Sequence, residues 1–195
     1  MWKHDQLEEN SLTVVKENAL ITSQIDVASE FEETVKSHQR KMVALAYHML
    51  GNLEDARDQA QEAFVRLWQR KEKSLDERAV AALLARITVN LCIDRLREIK
   101  RRRLFLLDGE KLAHSFASLD DPRRDAESGE LKAALAAATM QLKPRQKAIF
   151  VLRDVDGHSV RETAEIIGCS ENNVLVNLHK ARKNLRKWLS PYLRS

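Results

Sequence analysis

Residues 159–182 read SVRETAEIIGCSENNVLVNLHKAR, and this line decides the fold because it spells two short helices and the tight turn between them. Ser159 followed three residues later by Glu162 has the spacing of a capping box. Val160, Thr163, Ala164 and Ile167 then recur at helical intervals. Gly168 supplies a residue able to take the left-handed conformation that ends a helix, and Ser170 stands where the N-cap of the next one belongs. Val174, Leu178, Ala181 and Leu185 form the second helix's apolar stripe, with Ala164 small where the helices cross. The opposite face carries Asn172, Asn173, Asn177, His179, Lys180 and Arg182, amides and cations suited to base edges and phosphates. The segment reads as a helix-turn-helix; the alternative is an ordinary helical hairpin with a solvated polar face.

The chain has 195 residues, room for one medium domain or two small ones. Five glycines, three prolines and 5% aromatics, with abundant leucine, alanine, arginine and glutamate, point to helices rather than a sheet. The net charge is only +4 with an isoelectric point near 9.1, but it is unevenly placed. Arg95, Arg97 and Lys100 to Arg103 make one basic block, and Lys180, Arg182, Lys183, Arg186 and Lys187 make another. Asp108, Glu110, Asp120, Asp121, Asp125 and Glu127 lie between them. Two separated cationic surfaces suit a polyanion touched at two places.

Cys92 and Cys169 are far apart, with no second cysteine or histidine at metal-ligand spacing, and read as small side chains in a reducing compartment. No apolar run approaches membrane-span length and the amino terminus MWKHDQLEEN is polar, so a cytoplasmic location is expected. Nothing in the pattern asks for a cofactor or supports an enzyme. The six histidines are scattered, no glycine-rich phosphate loop appears, and no serine or cysteine has a base in pattern beside it.

The expected architecture is all-α: two small helical domains joined by a flexible acidic linker, the C-terminal one a helix-turn-helix. Residues 1–29 form an arm. Within 30–103 one helix carries Phe31, Val35, Met42, Leu45, Ala46 and Met49 inward and ends at Gly51-Asn52. A second, from about Leu53 to Lys71, turns Ala56, Ala60, Ala63, Phe64, Leu67 and Trp68 to one face. A third, from about Asp76 to Arg103, carries Val80, Leu84, Ile87, Leu91 and Leu96 inward. Residues 104–128 are the linker, at most roughly 80 Å if extended. In 129–195 the pattern resumes with Leu131, Ala134, Leu135, Ala138 and Leu142, and Pro144 opens a helix bearing Ile149, Phe150 and Leu152.

Opposite the packed face of the second helix, Asp58, Gln61, Glu62 and Val65 form a stripe mixing acid, amide and one apolar residue. On the third helix Asn90, Asp94, Arg97 and Arg101 share a face that leads into the basic block. With these motifs the chain resembles the extracytoplasmic-function class of bacterial sigma-70-type sigma factors. DARDQAQEAFVRLW (55–68) is similar to the family's core-polymerase-binding helix, and LLARITVNLCIDRLREIKRRR (83–103) to its promoter-melting helix. LKPRQKAIFVLRDVDGHSVRETAEIIGCSENNVLVNLHKARKNL, starting at Leu142, resembles its carboxy-terminal helix-turn-helix domain.

The resemblance implies that 30–103 is sigma region 2 and 129–195 sigma region 4, in a protein that binds core RNA polymerase and recognises and melts promoter DNA. Asp58, Gln61, Glu62 and Val65 then fall on the surface that docks on the coiled coil of the polymerase's largest subunit, with the flap as a further polymerase contact. Asn90, Asp94, Arg97 and Arg101 fall on the minus-ten helix, and Lys73, Ser74 and Asp76 in the preceding loop that captures an unstacked base. Asn172, Asn173, Leu175, Val176, His179, Lys180 and Arg182 fall on the minus-thirty-five helix. An anti-sigma factor joins polymerase and promoter DNA among the partners that the resemblance admits. Three positions depart from the family: Leu83 replaces a usual tryptophan, and Leu175 and Asn177 stand where relatives often carry a cation, which flattens the expected salt dependence. The competing reading is a freestanding helix-turn-helix regulator with a helical sensing or dimerisation domain, which leaves the Asp58 stripe and the Arg95 to Arg103 block unused.

Overall fold

The computed structural model describes residues 29–70, 76–106 and 126–192, all helix and short connection with no strand among them. The arm therefore lies almost wholly outside the described residues, as do most of the linker and the positions of Lys73 and Ser74. Helix α1 covers 29–50, α2 Leu53–Gln69, α3 Glu77–Leu106 and α4 Ala126–Met140. Helix α5, Pro144–Phe150, runs on into a π-helical turn, Val151–Val155, before α6, Val160–Ile167, and α7, Glu171–Leu189. Helices α3 and α4 each extend three residues into the segment that the sequence pattern assigns to the linker.

The chain divides into two compact units, 1–39 and 40–195. In the first, the described residues belong to the opening turns of α1, where Lys36 and Glu32 pair at 2.7 Å. In the second, α2 begins at Asn52, whose side chain accepts a hydrogen bond from the Asp55 backbone N–H at 3.0 Å. Gly51 ahead of it has φ +70°. A methyl group there would stand 3.2 Å from the Met140 sulfur, so this turn needs glycine for backbone and for space. Met140 also receives the Nζ of Lys147, at 3.2 Å from its sulfur and 3.4 Å from its carbonyl, although Lys147 is almost fully buried.

The two helical groups share one core. Leu45, Ala46, Met49 and Leu50 of α1, Ala56 of α2 and Ala85, Val89, Cys92 and Ile93 of α3 pack with Ala148 of α5, Val151 and Leu152 of the π turn and Ile166 of α6. Each large aliphatic here contributes about 1.5–3 kcal/mol on burial. The linker is long enough to let the groups separate, yet in this structure they bury their apolar faces against each other. Burial pushes the Cys92 thiol, helped by the neighbouring Asp55 charge, up to about 12. Thr88 is also fully buried and donates to the Met42 sulfur at 3.4 Å.

Two smaller clusters hold the C-terminal helices. Ile149, Ala164, Val174 and Leu178 close α5, α6 and α7 on one another, and Ala138 and Leu142 meet Ala181 and Leu185. Two expected core faces are corrected. Leu131 and Leu135 are exposed, because α4 is covered by α7 only near its C-terminal end. Trp68, expected inward with Phe64, is 46% exposed, at the edge of the α2 stripe.

Candidate functional site

Three exposed surfaces carry the residues of interest. On α2, Asp58, Gln61 and Val65 are exposed and Glu62 is half-buried, so the four line one outward face as the spacing predicts. Val65 and Trp68 are both exposed on α2, three residues apart. Sequence reasoning missed Trp68 because it sits on the boundary of the apolar arc, where periodicity alone cannot assign a side. It also missed Arg66, whose Nε donates to Glu62 Oε1 at 2.8 Å and fixes that carboxylate on the helix surface.

The second surface is the outer face of α3, where Asn90, Asp94, Arg97 and Arg101 are all exposed. Arg97 and Asp94 pair at 2.9 Å. Asp76 starts the helix, accepting the Ala79 backbone N–H on Oδ1 at 2.7 Å, so its carboxylate caps α3. The basic block is partly neutralised. Arg95 donates through Nε and Nη2 to Asp55 Oδ1, at 3.0 and 2.8 Å, and through Nη1 to Glu98, which Arg102 also reaches at 2.6 Å. The Glu98 hydrogen bond, with Asp55 beside it, raises the Arg95 guanidinium further, and Arg95 and Arg102 hold the Glu98 carboxyl below its ordinary range. Arg95 thus ties α3 to α2, while Arg97 and Arg102 are paired within α3 itself.

The third surface is the helix-turn-helix. Ser159 Oγ accepts the Glu162 N–H at 3.1 Å while Glu162 Oε2 accepts the Ser159 N–H at 2.8 Å, the full capping box. That backbone hydrogen bond is the chief reason the Glu162 carboxyl sits below its ordinary range. Gly168 closes α6 at φ +69°, and Ser170 caps α7 by accepting the Asn173 N–H at 3.3 Å. Val174, Leu178, Ala181 and Leu185 are buried. Asn172, Asn173, Leu175, Val176, His179, Lys180 and Arg182 are exposed on the other side. Asn177 is turned back, its Nδ2 donating to the Asn173 carbonyl and Oδ1 at 2.9 and 3.0 Å. Arg182 donates to Asp154 on the π turn, a partner invisible in the sequence because 28 residues separate them.

No group of three or more histidines, cysteines or carboxylates able to hold a metal occurs among the described residues, and none of their helices is long and apolar enough to cross a membrane. The three surfaces comprise two acid-amide or acid-base stripes and one amide-cation helix on a capped turn.

Comparison with known proteins agrees with that geometry. The family description "Sigma-70 region 2" matches residues 34–103 and "Sigma-70, region 4" matches 132–185. The chain is 32% identical over 162 residues to the ECF RNA polymerase sigma factor SigE of Mycolicibacterium smegmatis, covering 83% of this chain and 62% of that protein. It is 30% identical over 167 residues to SigW of Bacillus subtilis, covering 82% of this chain and 88% of the relative. Among solved structures, the sigma factor RpoE of Bartonella quintana, crystallised with the anti-sigma factor NepR, superposes with a TM-score of 0.62 at 18% identity over 83% of this chain and 97% of that one. The SigJ structure from Mycobacterium tuberculosis gives 0.54 at 25% identity, over 82% of this chain and 53% of that one. Two sigma-70 regions in the expected order, on an all-helical fold shared with solved sigma factors, place this chain in the ECF RNA polymerase sigma factors, the initiation subunits of bacterial transcription.

Proposed function

We propose that the chain confers promoter specificity on core RNA polymerase through these three surfaces, without catalysing a covalent step. The α2 face of Asp58, Gln61, Glu62 and Val65 docks on the coiled coil of the polymerase's largest subunit, with the flap as a second contact. Asn90, Asp94, Arg97 and Arg101 engage the minus-ten element, with Lys73, Ser74 and Asp76 ahead of them at the unstacked base. The α7 face of Asn172, Asn173, Leu175, Val176, His179 and Lys180 reads the minus-thirty-five element, with Arg182 at its edge braced by Asp154. In this reading 30–103 works as region 2, 104–128 as the tether, 129–195 as region 4 and 1–29 as an arm. An anti-sigma factor is a further partner, by analogy with the neighbour bound to NepR.

The observation that carries the proposal is the exposure of a mixed acid and apolar face on α2 in a chain that also presents a capped recognition helix. A freestanding DNA-binding regulator has use for the second and none for the first. Run-off transcription with purified core enzyme tests it: the chain is expected to produce a promoter-specific transcript. Equal transcription by core alone would overturn it.

A further inference from the structure

We infer that the recognition helix reads A·T base pairs in the upstream element, with Leu175 and Val176 seated on thymine C5-methyl groups. The inference rests on the reading of α7 as the upstream DNA helix and names what that helix recognises. Leu175 is 51% and Val176 43% exposed, in the first two turns of α7, the part of a recognition helix that meets base edges. They stand away from the buried stripe of Val174 and Leu178, so packing does not explain them. Valine has no advantage on a solvated helix face either, since its branched side chain lowers helix propensity.

What surrounds them selects the occupant. Lys180 and Lys183 flank the two aliphatics on the exposed side, so the surface is complementary to a polyanion rather than to an apolar protein groove. Within the major groove the one apolar group that a base presents is the thymine methyl. The arginine fork that reads guanine is missing: no arginine occurs between Ser170 and Ala181, and the Arg182 fork is already engaged by Asp154, which leaves Lys180 as the one cation of that stretch able to reach a guanine. Asn172, exposed at the start of the helix, carries the amide that pairs with adenine N6 and N7. Amide and aliphatic side chains one turn apart suit neighbouring A·T pairs.

The test uses the full chain bound to core polymerase and a duplex library randomised upstream of a fixed minus-ten element. The expected result is a selected element containing thymine, whose replacement by deoxyuridine weakens holoenzyme binding about fourfold per methyl removed. The double variant L175A/V176A is expected to bind thymine and deoxyuridine duplexes equally. Because the deoxyuridine change is made on the DNA, a folding defect cannot imitate its effect on the unaltered protein. If the holoenzyme selects an upstream element but is indifferent to its methyl groups, the inference falls and the upstream reading stands. If it selects no upstream sequence at all, both fall.

Discussion

The Arg182 guanidinium grips the Asp154 carboxylate through two hydrogen bonds, Nε to Oδ2 at 2.8 Å and Nη2 to Oδ1 at 2.6 Å, joining the third turn of α7 to the π turn that precedes α6. Such a fork fixes orientation as well as charge. The hydrogen bond that Arg182 donates to Asp154 raises its guanidinium further, consistent with a side chain committed to its partner. An arginine on the exposed face of α7 thus braces the motif, while Lys180 and Lys183 lie exposed beside it and are, under the proposed function, the cations for phosphates.

The salt dependence of promoter binding separates these roles. A lysine that neutralises one phosphate contributes about 0.9 to the slope of log affinity against log salt. Lys180→Ala is expected to lower the slope of holoenzyme binding by about that amount. Arg182→Ala is expected to leave the slope nearly unchanged while lowering the thermal midpoint of the free protein. Equal slope changes for the two variants would show that Arg182 leaves Asp154 to bind DNA.

Polymerase docking is expected to depend on the α2 stripe. Asp58→Lys combined with Glu62→Lys reverses two charges on an exposed or half-exposed face and should abolish binding to core enzyme in a pull-down. The fold should survive, with a cost of about 0.5 kcal/mol, chiefly from losing the Glu62–Arg66 pair. Retained binding by a folded double variant would remove α2 from the interface.

Gly51 is held by two independent constraints, its φ of +70° and the Met140 sulfur 3.2 Å from any added methyl. Gly51→Ala should cost about 1–2 kcal/mol from the left-handed backbone alone. In urea unfolding, Gly51→Ala made on a Met140→Ala background should cost less only by the crowding part, judged against Met140→Ala alone because that change also removes a partner of Lys147 Nζ. No cost of Gly51→Ala on that background would mean that the backbone conformation costs little.

The capping box makes a pH signature. The Ser159 backbone N–H holds the Glu162 carboxyl below its ordinary range, so the folded state keeps the carboxylate charged at pH values where the unfolded chain takes up a proton. The stability it contributes is fully present above the ordinary glutamate range. It is lost as pH falls from about 4 through the depressed folded value. Glu162→Gln removes that titration, so its thermal midpoint should fall less steeply than that of the parent over this acid window. Parallel acid profiles would show that the capping carboxylate does not contribute.

The helix-turn-helix was legible because its determinants are local: Ser159 and Glu162, Gly168 and Ser170 lie within a few residues of the groups they satisfy, and each takes its expected role. The α3 face was legible for the same reason, since Asn90, Asp94, Arg97 and Arg101 follow the helical repeat. Trp68 was not, because it lies at the edge of the α2 stripe; Leu131 and Leu135 were not, because their exposure depends on where a neighbouring helix stops, which no period records. The partners of Arg95 and Arg182 lie 40 and 28 residues away. Counting cations along the sequence therefore overstated the charge free for DNA. Nor could the pattern reveal that Ile166 of α6 and Val89 of α3 belong to one core.

That shared core bears on how one protein reaches two promoter elements. The minus-ten and minus-thirty-five elements lie about 25 bp apart, roughly 85 Å along B-form DNA. The stretch 107–125 between α3 and α4, fully extended, spans at most roughly 68 Å. Packing Ala85, Val89 and Ile93 against Ala148, Leu152 and Ile166 holds the two faces proposed to meet DNA on one compact unit, so under that proposal simultaneous engagement requires these contacts to part. Fluorophores on cysteines introduced at Ala82 and Lys187, both exposed, would report the opening. Cys169→Ser removes the partly exposed native thiol, and Cys92 is protected by burial. Energy transfer should be high in the free protein and fall when core polymerase and promoter DNA are added. High transfer retained in a transcribing complex would mean that the two faces reach their elements without separating, and the proposed division of labour between α3 and α7 would have to be abandoned.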